Sequence, residues 1–145
     1  MRTLAYIDTS ALAKRFVSEV KTPELEAFLM SDSHQCVLSS LSLTELKSVL
    51  RRRLREHAIT NKVMQLSEQQ VMLELARGTW KYFPISEAIF SYAGELIEQL
   101  ATPLGTLDAI HLACARTADC ELMVSADRQL LKASKLAGMK TLDMS

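Results

Sequence analysis

At 145 residues, 48% of them apolar, the chain can bury a real core and is short enough to form one domain, 1–145. Seventeen basic and seventeen acidic residues cancel, which excludes a global field for polyanions, so any nucleic-acid binding must use a local patch. Three scattered cysteines, Cys36, Cys114 and Cys120, exclude a disulfide framework and a zinc ribbon; with no run near the ~20 apolar residues of a membrane span and no signal-peptide pattern, a soluble cytoplasmic protein with reduced thiols is expected.

The elements alternate along the chain. Residues 3–7 (TLAYI) read as a strand and residues 10–20 as a helix. A second helix is expected over 22–31, with Thr22 as N-cap and Pro23 at the first helical position. A short strand at 35–39 leads into a helix over 42–57 with Leu43, Leu46, Leu50 and Leu54 on one face. Thr60 caps a long helix over 60–78, and 80–85 is a short extended piece. Helices follow at 86–101, capped by Ser86, and at 106–118, after Gly105. A strand at 121–126, a helix at 127–138 ending at Gly138 and a last strand at 139–144 complete the pattern. Apolar strands alternating with helices imply an α/β fold, a parallel sheet covered by helices on both faces.

Four carboxylates recur at one kind of position. Asp8 ends the first strand, Glu45 and Asp127 stand near helix starts that follow strands, and Asp108 stands near the start of its helix. In an open parallel sheet the carboxyl ends of the strands share the edge where ligands bind. Each acid taken singly has a capping explanation. Ser42 and Glu45 fit a capping box, Asp108 lies in the first turn after Thr106, and Asp127 suits an N-cap. Capping does not explain an acid in place of Ser or Thr every time. Like charges crowded together raise one another's pKa, and a hard divalent cation removes that cost.

The stretches YIDTSALAKRF, LSSLSLTELKSVL, LGTLDAIHLACA and LMVSADRQLLKAS, in this order, resemble the PIN domain, in particular the VapC-type ribonuclease toxins of toxin–antitoxin pairs. The resemblance implies a PIN-like three-layer sandwich with a parallel sheet of about five strands. It implies an Mg²⁺- or Mn²⁺-dependent endoribonuclease with Asp8, Glu45, Asp108 and Asp127 as catalytic, metal-binding acids. It further implies an RNA substrate, a VapB-like antitoxin partner, a homodimer and no membrane association. A PIN nuclease of housekeeping RNA processing and a catalytically silent PIN scaffold are the alternatives. A haloacid-dehalogenase-like phosphatase would want a second Asp where Ser10 stands, and a response-regulator-like module would want a central acid after the third strand.

Asp8 and Asp108 are expected as the firmest ligands, and Ser10 and Ser125 as donors that orient the acids. Among the basic residues Lys14, Arg52 and Arg128 are the expected RNA contacts, Arg52 because it follows Glu45 by two helical turns. Lys47, Arg51 and Arg55 form an adjacent stripe. His111, three residues after Asp108, reads as a core or hydrogen-bonded histidine rather than a general base.

Overall fold

A computed structural model describes residues 2–145. Five parallel strands, β1 (Thr3–Ile7), β2 (His34–Ser39), β3 (Trp80–Phe83), β4 (Leu122–Ser125) and β5 (Lys140–Asp143), form one sheet in the order β3-β2-β1-β4-β5. Seven helices connect them: α1 (Thr9–Leu12), α2 (Thr22–Met30), α3 (Ser40–Arg55), α4 (Asn61–Ala76), α5 (Glu87–Gln99), α6 (Thr106–Thr117) and α7 (Arg128–Leu136). β1 is the central strand, so the run Ala5-Tyr6-Ile7 is buried on both faces, as is all of β4.

Side-chain alternation along the strands divides the core. Tyr6, Val37 and Met123 point to one face, where they pack with Ile89, Leu112 and Leu130 of α5, α6 and α7. Ala5, Ile7, Leu38 and Val124 point to the other, among Leu12, Leu25, Leu46, Leu50 and Val71 of α1 to α4. This is the three-layer α/β arrangement expected from the sequence. None of the described helices is long and apolar enough to cross a membrane, and the three cysteines are buried and free.

The topology also fixes where a ligand edge opens. From β1 the chain moves outward to β2 and β3, then returns to place β4 on the opposite side of β1 before continuing to β5. The order therefore reverses between β1 and β4, and their flanking helices pack on opposite faces. That leaves a crevice beyond the carboxyl ends of these two strands.

Several boundaries differ from expectation for local reasons. The helix expected over 10–20 stops early: α1 tightens into a 3₁₀ turn at Ala13–Arg15. Residues 16–21 then form a loop closed by the Thr22 hydroxyl, which donates to the Lys14 carbonyl at 2.8 Å and accepts from the Glu19 amide at 2.9 Å. Thr22 is thus not an N-cap. That position belongs to Lys21, with φ +74°, a left-handed conformation unusual for a side-chain-bearing residue. Gly105, not Thr106, occupies the cap position of α6, and Ser86 sits at the cap of α5 without a side-chain bond. Thr60 caps α4 as expected, accepting from the Val63 amide.

Candidate metal centre

The capping explanations can be checked acid by acid. α3 begins earlier than expected, and its capping box joins Ser39 to Ser42 rather than Ser42 to Glu45. Glu45 is therefore released from capping. Asp8 precedes α1 but makes no side-chain cap bond, and Asp108, in the first turn of α6, makes none either. Asp127 does cap: its Oδ1 accepts from the Gln129 and Leu130 amides of α7 at 2.9 and 3.3 Å. Its second oxygen takes no part in that cap.

All four acids line one cleft of about 540 Å³, together with Ser10, Lys14, Glu19, Arg52 and Arg53. It lies over the β1–β4 crevice. Asp8 is 4% exposed and anchors the floor. Its amide donates to the Val124 carbonyl at 2.9 Å, extending the sheet by one rung. Its Oδ2 accepts from Ser10 Oγ at 2.6 Å and Ser125 Oγ at 2.8 Å. The two hydroxyls are in turn fixed by the Ala126 and Asp127 amides, at 3.0 and 2.9 Å. Ser10 and Ser125 both bond Asp8 Oδ2, and Oδ1 is directed toward His111, 3.5 Å away.

His111 is the residue whose partners sequence reasoning did not foresee. It is a buried, hydrogen-bonded histidine as expected, but its Nε2 contacts Glu45 Oε1, and Asp8, Glu45 and His111 bring one ligand-capable atom each within 4.8 Å of one another. The Asp108–His111 spacing of three residues on one helix was the signal available. Thr9 adds a second donor to Glu45 Oε1 at 2.8 Å.

The electrostatics of the cluster are divided. Burial works against ionising both Glu45 and Asp108. At Glu45 the hydrogen bond and charge of His111, with the Thr9 hydroxyl, outweigh it and hold the carboxyl below its usual range. Asp108 has no such donors. Burial, the charges of Asp127 and Asp8 and a hydrogen bond to Asp127 push its carboxyl up to about 7. For His111 burial disfavours the charged ring, but the Glu45 hydrogen bond and the charges of Asp8, Glu45 and Asp108 raise it above the ordinary histidine value. The cluster holds more negative charge than its one imidazole relieves. Its crowded carboxylate oxygens fit a hard divalent cation.

Of the expected RNA contacts, only Arg52 stands as a free cation on the cleft wall: it is exposed and makes no ion pair among the described residues. Lys14 lines the cleft but is buried, its ammonium donating to the Val20 carbonyl at 3.0 Å and to Glu19 at 3.4 Å. It holds the loop after the 3₁₀ turn and is not available to substrate. Arg128 turns away from the cleft, into a hollow of about 230 Å³ with Lys132, Lys135 and Asp143. Asp127 caps α7 with its carboxylate in the cleft, whereas Arg128, the next residue, does not line it. Lys47 and Arg51 are occupied by Glu68 of α4, and Arg53 by Glu19 and Glu56.

The PIN domain family matches residues 5–136. Ribonuclease VapC47 of Mycobacterium tuberculosis is 32% identical over 143 residues, covering 95% of each chain. Among solved structures, the Mycobacterium tuberculosis toxin VapC20, described as cleaving the sarcin–ricin loop, superposes with a TM-score of 0.71 at 15% identity, over 93% of this chain and 95% of that one. VapBC2 of Rickettsia felis, solved bound to a promoter DNA fragment, gives a TM-score of 0.67 at 15% identity, over 98% and 99% of the respective chains. These last two likenesses concern the fold, whereas the family match and the curated relative settle membership. With its acids gathered at the β1–β4 crevice of a β3-β2-β1-β4-β5 sheet, this chain belongs to the PIN domain family, alongside the VapC ribonucleases.

Proposed function

We propose that the chain is a divalent-cation-dependent endoribonuclease, the toxin of a toxin–antitoxin pair, cutting RNA where Asp8, Glu45, Asp108 and Asp127 converge. One observation carries this reading: Asp108 lines the same cleft as Asp8, Glu45 and Asp127, where burial first and then the charges of Asp127 and Asp8 push its carboxyl up to about 7. A fold retains such a group when something other than stability uses it. Asp8 and Asp108 are the residues that would hold Mg²⁺ or Mn²⁺ directly. Glu45 would join through Oε2, the oxygen engaged by neither His111 nor Thr9, and Asp127 through the oxygen left by its cap. An ion held there supplies a Lewis acid for a phosphodiester oxygen and a water of lowered pKa.

The chain's own residues do the rest. Ser10 and Ser125 fix the rotamer of Asp8, so its second oxygen has one direction. Glu45, whose carboxyl His111 and Thr9 hold below its usual range against the cost of burial, is ionised at neutral pH and can receive positive charge. Arg52, on the rim beside the acids, binds a phosphate and sets how the strand crosses the cleft. Arg52→Ala is expected to weaken RNA binding whatever the sequence and to lower the salt slope of affinity by ~1, with the cleavage rate at saturating RNA nearly unchanged. Binding isotherms at several salt concentrations check this.

An acidic cleft inhibited by a basic segment suits a VapB-like antitoxin, and exposed Leu66, Met72 and Leu73 on α4 are consistent with a homodimer. Such a protein works in the cytoplasm. The test of the function is cleavage of an RNA panel by the purified protein. Cutting is expected with Mg²⁺ or Mn²⁺ and is expected to stop with EDTA; undiminished cutting in chelator would end the proposal.

A further inference from the structure

His111 lies outside the four-acid set, and its surroundings assign it a task. Its ring is 1% exposed. Nε2 contacts Glu45 Oε1, and Nδ1 lies 2.6 Å from the Tyr6 hydroxyl. Tyr6 donates to Ser39 Oγ at 2.8 Å, and Ser39 caps α3, the helix that carries Glu45. The bonds close a ring from β1 through α6 to α3 and back. Tyr6 and His111 also meet edge to face, with centroids 5.5 Å apart, which fixes the plane of the imidazole. An ionised carboxylate can only accept, so in the Glu45 bond Nε2 is the donor.

Resting on the proposed metal site, we infer that His111 is a positioning residue: its Nε2–H holds the Glu45 carboxylate beside Asp8, so that the ligand set is assembled before a cation arrives. Glu45 stands on α3, whereas Asp8 and Asp108 stand on other elements, and it is only half-buried. Of the donors to its Oε1, Thr9 is in the same segment as Asp8, and His111 is the one that reaches from α6. Without that bond Glu45 keeps its helix but loses its fixed rotamer, and a cation must order it on binding. Partners of metal-bound side chains, when removed, cost about 10–100-fold in metal affinity.

The geometry of the side-chain amides gives the test. The amide nitrogen of Gln reaches the position of Nε2, and that of Asn only the position of Nδ1. His111→Asn and His111→Met are therefore expected to raise the Mn²⁺ concentration for half-maximal thermal stabilisation at least tenfold. His111→Gln is expected to restore most of that affinity. In cleavage assays the Asn and Met variants are expected to regain most of the wild-type rate at saturating Mn²⁺. A merely structural histidine would lower the metal-free melting temperature in all three variants and leave the Mn²⁺ midpoint unchanged. That result, or Gln behaving like Asn, overturns the inference. If neither Asn nor Met folds, Tyr6→Phe keeps the ring but frees Nδ1, and is expected to raise the midpoint several-fold; no shift there overturns it as well. Wild-type protein that neither binds Mn²⁺ nor cuts RNA would instead defeat the metal-site reading itself.

Discussion

Asp8→Asn and Asp108→Asn are each expected to lower RNA cleavage at least ~100-fold, the scale of loss when one group that stabilises transition-state charge is removed. Their effects on metal-free stability should differ, because their surroundings differ. Asn at 108 removes a charge from beside Asp127 and Asp8, so the melting temperature is expected to stay level or rise. Asn at 8 keeps an oxygen for Ser10 and Ser125 but gives up attraction to His111, so a level or lower melting temperature is expected. If these acids were only helix furniture, Asn would serve about as well as Asp and cleavage would not move. Paired melts and cleavage assays on both variants distinguish the cases.

The second large effect is the pH dependence of the metal-free protein. Asp108 binds its proton more tightly in the fold, at about 7, than at its ordinary 3.8. Its contribution to stability is therefore complete below about pH 4. It declines as the pH rises toward about 7 and is gone above that, because there the fold must ionise a group that resists it. His111 acts in the same direction. Its raised value gives stability that is full below ~6.5 and fades as the pH passes the folded value. Glu45 acts oppositely, its depressed value giving stability that is lost on acidification below its ordinary range. Between mildly acidic and mildly basic pH the first two dominate, so the melting temperature is expected to fall.

Mn²⁺ at 100 times its Kd should then return about 2.7 kcal/mol at the basic end, roughly 5–10 °C for a chain of this size. At acidic pH, where protons compete for the carboxylates, it should return little. Asp108→Asn is expected to flatten the decline. A metal-free melting temperature that is level, or that rises from pH 5 to pH 8, would show that the acids are not crowded as described.

Much of this was legible in the sequence because buried parallel strands are short apolar runs and their helices carry a 3.6-residue period. The positions of Asp8 and Asp127 just past such runs place them at one edge without reference to side chains. Other features depend on contacts between distant segments. The loop over residues 16–21, closed by the Thr22 hydroxyl on the Lys14 carbonyl, is one such feature. The same fold-back takes Lys14 from the substrate side, a choice that the helix pattern of residues 10–20 could not show. Glu45 looked like a capping partner until α3 proved to start at Ser40, with Ser39 in that role. His111 read as core, and it is core. What no local pattern could show is that Tyr6, on a strand more than a hundred residues away, turns its other nitrogen onto Glu45.

The most direct test of the metal centre is a crystal of the protein soaked in Mn²⁺ and measured for anomalous scattering. A peak is expected in the cleft, bonded to oxygens of Asp8 and Asp108, with Glu45 or Asp127 bonded or joined through water. No peak at saturating Mn²⁺, or peaks confined to other surfaces while RNA is still cut, would contradict the assignment of these carboxylates as the metal site.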